Sequence, residues 1–319
     1  LSCISDFTYP GHTVPHMHAS PSRFGAELLA VFLQAIANEG IDIATSAHVT
    51  DLFSDSDDRV RGVRITRPDG KHEDVGCEAL VLACNGYGGN KELLQKYIPE
   101  IVDAHYHGHD GNQGDAVLWG EQLEASIKDM GSFQGHGAVI TPHNIHLGWP
   151  AITEGGFQVN KDGVRFSDEN HGYSEQALNV VRQPSHVAWT IWDQRCQLVA
   201  IQMHSHQEAM KADAIKKCET VAELAETVGC EEATLQQTMS ENAEMCAGKR
   251  RDNFGRDFAK HPMLAPPYYI AKIQGALFHT QGGLEVNTEA RVLKKDGTPF
   301  PNLFAGGGAA RGFSGPADW

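Results

Sequence analysis

Apolar and polar positions change period several times along this chain, and the changes mark its elements. Residues 23–39 place Leu28, Leu29, Phe32, Leu33 and Ile36 at helical spacing, which predicts a helix capped by Ser20 or Ser22 and ended by Gly40. Residues 41–44 read as the start of a strand. Segments 49–53, 60–66 and 72–75 alternate like a half-buried meander, with Pro68-Asp69-Gly70 as a turn. Residues 79–83 are continuously apolar, as suits a buried parallel strand. Beyond Asn90 the pattern predicts helices over 91–98, 114–130, 174–181 and 221–249, and a hairpin over 155–165 around Lys161-Asp162-Gly163. A break follows at 262–267, then a strand from Tyr268.

Two apolar strands run into glycine. One is Ala79-Leu-Val-Leu-Ala83-Cys84-Asn85-Gly86-Tyr-Gly-Gly. The other region reads Ala276-Leu-Phe-His279-Thr-Gln-Gly282-Gly283, followed by Pro301-Asn-Leu-Phe-Ala-Gly306-Gly307-Gly308. Glycine after a strand suits a place where a ligand approaches the backbone, or a tight turn with no ligand. Two such units suggest two lips of one cofactor site.

A length of 319 residues allows two domains, or one with a large insertion. The net charge of −15 argues against a nucleic-acid or anionic-membrane surface, and requires local positive groups for any anionic substrate. Seven cysteines are scattered without CxxC spacing, which reads as reduced thiols in a cytoplasm. No apolar run approaches the roughly 18 residues of a membrane span.

The two glycine-ended segments resemble the signatures "ATGGFGGN" and "HTMGGL…GLYAAGE" of the fumarate reductase and succinate dehydrogenase flavoprotein superfamily, which includes 3-ketosteroid dehydrogenases and urocanate reductases. The resemblance implies an α/β fold: the rear part of a dinucleotide (FAD)-binding Rossmann-like domain with an inserted α+β cap. The parts would be 1–90 and 268–319 for FAD and 91–267 for the cap. It implies FAD contacts at Val49, Ala83, Cys84, Asn85, Gly86, Gly282, Gly283, Gly307 and Gly308. Asp115, in a segment similar to "TGDG", would join them or serve as an ordinary helix cap. Cys84 and Asn85 depart from the usual Thr and Gly, and Gly308 from a common Glu. No GxGxxG opens the chain, so the resemblance also implies over a hundred residues before Leu1 and a continuation past Trp319.

For chemistry, the resemblance assigns substrate contacts to His136, Thr153, Glu154 and His279. The run Val159-Asn-Lys-Asp-Gly-Val-Arg165-Phe-Ser-Asp-Glu169-Asn-His-Gly-Tyr173 is similar to "VNxxGxRFVNExxxRD", with Tyr173 where fumarate reductases have a proton-delivering Arg and ketosteroid dehydrogenases a Tyr. A phenol, ordinarily titrating near 10, exchanges a proton when a cation or hydrogen bond stabilises its anion. Packing against the cap is the alternative role. A second Arg of that family is also missing: Gly315-Pro-Ala-Asp318-Trp319 stands there, with Arg311 and Arg182 as partial substitutes. A dicarboxylate needs convergent cations. The expected activity is hydride transfer between flavin N5 and an activated C–C bond of an enone, a ketosteroid-like ring or another unsaturated small molecule. An unidentified electron donor or acceptor would complete it. A fumarate-type reductase and a cofactor-free binding module are the alternatives. The alternating His105, His107 and His109, and His204 with His206, read as hydrogen-bonding side chains rather than a metal edge.

Overall fold

Strands β1 (Ser2–Cys3) and β2 (His18–Ala19) pair antiparallel ahead of helix α1 (Gly25–Asn38), which realises the helical spacing of its segment. The computed structural model describes residues 1–4, 13–15, 18–21 and 25–312, so Ser22 and the segment 315–319 lie outside the described residues. Packing divides the chain into two units, Leu1–Phe53 with Gly62–Gly76, and Ser54–Arg61 with Cys77–Trp319. The first unit also holds most of a three-stranded sheet of β3 (His48–Ser54), β4 (Val60–Thr66) and β5 (His72–Gly76). Arg64 and Asp74 face each other across its register and pair at 2.7 Å. The strand expected at 41–44 does not form: Ile41 and Ile43 are more than half exposed. Among the described residues no strand lies beside them to satisfy their backbone groups.

The second unit begins with β6 (Leu80–Leu82), α2 (Lys91–Tyr97), β7 (His105–Tyr106), α3 (Asp115–Gln122) and β8 (Ile127–Lys128). Then come β9 (Phe133–Ile140), β10 (Ile145–His146), α4 (Pro150–Thr153), β11 (Phe157–Val159), α5 (Tyr173–Val181) and β12 (Val187–Asp193). Next are α6 (Gln194–Ala200), α7 (His204–Lys211), β13 (Lys216–Cys218), α8 (Val221–Val228) and α9 (Glu232–Cys246). The unit closes with β14 (Tyr268–Thr280), β15 (Gly283–Leu284), β16 (Arg291–Leu293) and β17 (Pro299–Ala305).

Three sequence expectations are corrected by local physics. The helix from 114 stops at Gln122, because Glu124 turns with φ of 56° and feeds β8 into a pair with β15. The helical stretch 221–249 is two helices, since Gly229 takes the left-handed conformation (φ 81°) and its N–H caps Ala225. The hairpin at 155–165 makes its turn, with Asn160 N–H bonded to Val164 C=O at 3.0 Å, but β11 pairs with β12 instead of a returning strand.

A seven-stranded sheet dominates this unit, in the order β10-β9-β14-β12-β11, with β13 and β7 pairing along the long β14. Behind it lies an apolar core that includes Trp192, Phe157, Phe258 and Ile152. Helix α5 lies close to β9 and β14 because Gly135, Gly137 and Gly275 clear its path; a Cβ at these positions would meet Ala177 or Gln176 at 2.4–2.6 Å.

The smaller sheet β16-β17-β6 sets the position of the glycine ends. Strands β6 and β17 are parallel, Leu80 opposite Leu303 and Leu82 opposite Ala305. Val81 is 64% exposed rather than buried, while Leu82 on the opposite face of the same strand is 4% exposed, so β6 is covered on one face only among the described residues. Buried Asn302 pins β17: its Oδ1 accepts from Val60 N at 2.9 Å, and its Nδ2 donates to the Val60 and Glu78 carbonyls at 2.8 Å each. Replacing Asn302 with Ala leaves these backbone groups without partners. It should cost about 2–3 kcal/mol in chemical denaturation; a loss under roughly 0.5 kcal/mol would contradict the anchoring role.

Candidate active site

Parallel strands end on the same side, and in open α/β sheets ligands bind beyond those carboxyl ends. Here β6 delivers Ala83–Gly86 and β17 delivers 306–308 to one place. A Cβ added to Gly308 would fall 2.2 Å from Asn85 Oδ1, and one on Gly86 would fall 2.2 Å from Thr280 Oγ1. Asn85 itself takes a positive φ of 65°. The Thr280 hydroxyl accepts the Tyr87 N–H at 3.1 Å, tying the end of β14 to the first glycine loop. Gly283 is tight as well, with the Ala309 carbonyl 2.7 Å from its would-be Cβ, and Gly282 meets Met130 and Asp129.

The glycines therefore divide by purpose. Those at 86, 282, 283 and 308 serve close packing of the protein on itself. Gly306 and Gly307 have nothing within 4 Å of a would-be Cβ, and Gly307 has a φ of 58°. These two lie open at the end of β17. Helix α3 abuts the same loop, since a Cβ on Gly114 would strike Tyr87 and Leu93. Gly114, not Asp115, is the N-cap of α3; Asp115 lies in its first turn. Burial raises the pKa of the Cys84 thiol, the Ala116 N–H lowers it and the Asp115 charge raises it, so these residues adjoin. Val49 belongs to the other unit, on β3, and remains an expectation of the sequence.

The candidate catalytic residues gather on β9, α5 and β14. Register sets Gln134 opposite His279 and His136 opposite Ala276; Phe278 is an extra residue on β14 between these pairs, and beyond them β9 sets Gly137 and Ala138 against the single Gly275. Gln134 Nε2 donates to Tyr173 Oη at 3.1 Å, and its Oε1 accepts from His279 Nε2 at 2.6 Å. One amide thus joins the phenol to the imidazole. His136 is buried, nearly parallel to Phe278 (5.2 Å between ring centres) and to Tyr173 (5.4 Å). Trp149 meets His136 and Tyr173 edge-on at 5.2 and 6.0 Å.

Thr153 and Glu154 follow Trp149 at the end of α4, but their recorded contacts run elsewhere. The Glu154 carbonyl accepts from Arg195 and, at 3.3 Å, from the Cys196 thiol on α6. Its carboxylate lies near enough to His261 to counter, in part, the burial that lowers that ring's pKa. Arg311 pairs with Asp129 at 2.6 Å and Glu285 at 3.5 Å, and Arg182 caps the far end of α5 from Tyr173. Sequence reasoning missed Gln134, although it lies two positions before His136 and so shares its strand face. Thr280 and Phe278 were missed too, beside a His279 that was not.

The motif around Arg165 and Glu169 has a structural task. Arg165 grips Glu169 at 2.8 Å and Asp252 at 2.5 Å, while Arg256 approaches Glu169 at 3.2 Å; all four are buried. Phe258 lies under both guanidiniums. This balanced cluster fixes the loop that leads into Tyr173. Burial alone would raise the Glu169 pKa, but the two guanidiniums outweigh it and hold the carboxyl below its ordinary 4.5.

A family model described as FAD binding domain matches residues 8–318. The chain belongs to this family, within the fumarate reductase and succinate dehydrogenase flavoprotein superfamily, and FAD is its cofactor. It is 30% identical over 294 residues to a protein named "Probable fumarate reductase" from Shewanella frigidimarina, covering 91% of this chain and 49% of that protein. It is 27% identical over 337 residues to the 4-oxocyclohex-2-ene-1-carboxylate 5-dehydrogenase of Sinomonas cyclohexanicum, with 90% and 55% coverage. Among solved structures, the open conformation of a flavocytochrome c3 fumarate reductase superposes with a TM-score of 0.80 at 29% identity, over 94% of this chain and 52% of that one. The chain spans about half the length of these relatives. Among the described residues no helix is long and apolar enough to cross a membrane.

Glu169→Gln leaves two buried guanidiniums facing one acid, and should destabilise the fold by about 3–5 kcal/mol in chemical denaturation. Because Glu169 titrates below its unfolded value, its contribution is complete above pH 4.5 and disappears as acid carries the pH down through the folded value. A variant within about 1 kcal/mol of the parent, with unchanged acid sensitivity, would contradict the assignment.

Proposed function

We propose that the chain is the substrate-converting part of an FAD-dependent oxidoreductase that acts on an activated C–C bond, with Tyr173 as its proton donor and acceptor. One observation carries this reading: Tyr173, Gln134 and His279 form a continuous hydrogen-bonded line. The next residue, Thr280, is bonded to the glycine loop that meets Gly308. These links run from the phenol through β14 to the glycine loop after β6, which supports a site shared by the two. Flavin, when bound, supplies the two-electron step as a hydride. The chain's own residues do the rest. Gln134 orients the phenol, and buried Trp149 and His136 shape the wall behind it. The proposed domain parts remain 1–90 and 268–319 for FAD, with 91–267 over the substrate.

The substrate we favour is an enone, a ketosteroid-like ring or another unsaturated compound with at most one carboxylate. The relative from Sinomonas cyclohexanicum is named for such a compound, a ring enone with one carboxylate. The occupied Arg311 and the distant Arg182 support it, since two carboxylates need two convergent cations. A second reading is a reductase of an unsaturated carboxylate of the fumarate type, favoured by the 30% identical relative and the 0.80 structural match. In either case a separate electron donor or acceptor completes the cycle.

Tyr173→Phe in the full-length, FAD-loaded enzyme should lower kcat about 10²–10⁴-fold while the flavin absorbance spectrum stays unchanged. Full turnover in that variant would overturn the role. Fumarate reduction by reduced viologen at rates above those for an enone would select the second reading.

A further inference from the structure

A side-chain amide has one donor end and one acceptor end, so the two bonds that Gln134 makes are of opposite polarity. Distance decides which end faces which group. Gln134 Oε1 lies 2.6 Å from His279 Nε2, and Gln134 Nε2 lies 3.1 Å from the Tyr173 oxygen. Turned round, the amide would set two nitrogens at the shorter separation, where an oxygen is the smaller acceptor. It would also set two oxygens at the longer one, beyond the usual span of O–H···O.

The amide oxygen only accepts, so His279 carries a proton on Nε2. The phenol oxygen accepts from the amide, and its own proton is not used on that bond. An imidazole with a bare Nε2 would set two lone pairs against each other and turn the amide over, and the phenol would then donate to Oε1. The tautomer of His279 thus sets the polarity of the hydrogen bond at Tyr173, one side chain away. The fold holds all three groups in reach. Gln134 and His279 are cross-strand partners on β9 and β14. Tyr173 opens α5, and the next residue fastens that turn to β9, where Ser174 Oγ accepts the Gly135 N–H at 2.9 Å.

We infer that His279 and Gln134 are a positioning pair: His279 fixes the amide with its N–H toward Tyr173, and that N–H stabilises the phenolate form. The inference rests on the reading above, in which Tyr173 exchanges the proton. It gives His279 a task other than the substrate contact implied by motif resemblance, since its Nε2 proton is committed to Gln134. A hydrogen bond given to the charged form favours that form. When the phenol gives its proton to a substrate carbon, the O–H electron pair stays on oxygen beside the amide donor. In the opposite direction the same phenolate takes the proton, so one bond serves both.

Histidine nitrogen NMR on the ¹⁵N-labelled, full-length, FAD-loaded enzyme reads the tautomer without turnover. His279 should be protonated on Nε2; a bare Nε2 overturns the inference. Kinetics then use whichever of fumarate and a ring enone the parent converts faster. Gln134→Leu should lower kcat about tenfold to a hundredfold, with KM within about twofold. The pH limb of kcat governed by Tyr173 should move up by about one unit, a change that loss of packing alone would not produce. His279→Phe should lower kcat similarly, and the double variant should lose little more than either single one, because the two act as a unit. Additive losses, or a change in KM alone, place His279 on the substrate and overturn the inference. Full activity in Tyr173→Phe overturns the reading above; a crippled Tyr173→Phe beside a Gln134→Leu enzyme at parental rates overturns only the pair.

Discussion

The register of the thirteen-residue strand β14 is the constraint on which the site depends. It sets Gln134 opposite His279, and its last residue, Thr280, reaches the loop after β6. A slip of one position would turn every side chain to the other face and separate the phenol, the amide and the imidazole. Two irregularities in the pairing let Phe278 come beside His136 without breaking that match. The same strand thus organises the large sheet and ends at the glycine loops.

Around it, two kinds of forces hold the geometry. Steric exclusion sets the loops: glycines at 86, 282, 283 and 308 allow backbone segments from distant parts of the chain to touch, and any side chain there would push them apart. Electrostatic closure sets the lead into Tyr173, where two guanidiniums and two carboxylates neutralise one another away from water. Such a cluster contributes little net stability compared with an apolar core, but it is costly to break in part, which suits a device for holding a loop in one place.

Much of this was legible in the sequence. Glycine after an apolar strand, found twice, pointed to one shared site, and the parallel pairing of β6 with β17 brings those ends together. Motif likeness drew attention to Tyr173, His136 and His279, which the structure gathers around Gln134 and Phe278. Composition could not separate glycines that serve packing from the bare pair at 306–307, because both kinds read alike in one dimension. Nor could spacing reveal Gln134 as the link, since its role arises from cross-strand register. The strand expected at 41–44 shows the converse: apolar residues without a neighbouring strand do not make one.

The most direct measurement is a crystal structure of the full-length enzyme with FAD and a non-reacting enone bound. The account requires the isoalloxazine to lie along the backbone of Gly306 and Gly307, with the enone between that ring and the Tyr173 hydroxyl and Gln134 still bridging to His279. A ring seated elsewhere, or a phenol turned out of the cavity with the ligand in place, would contradict it.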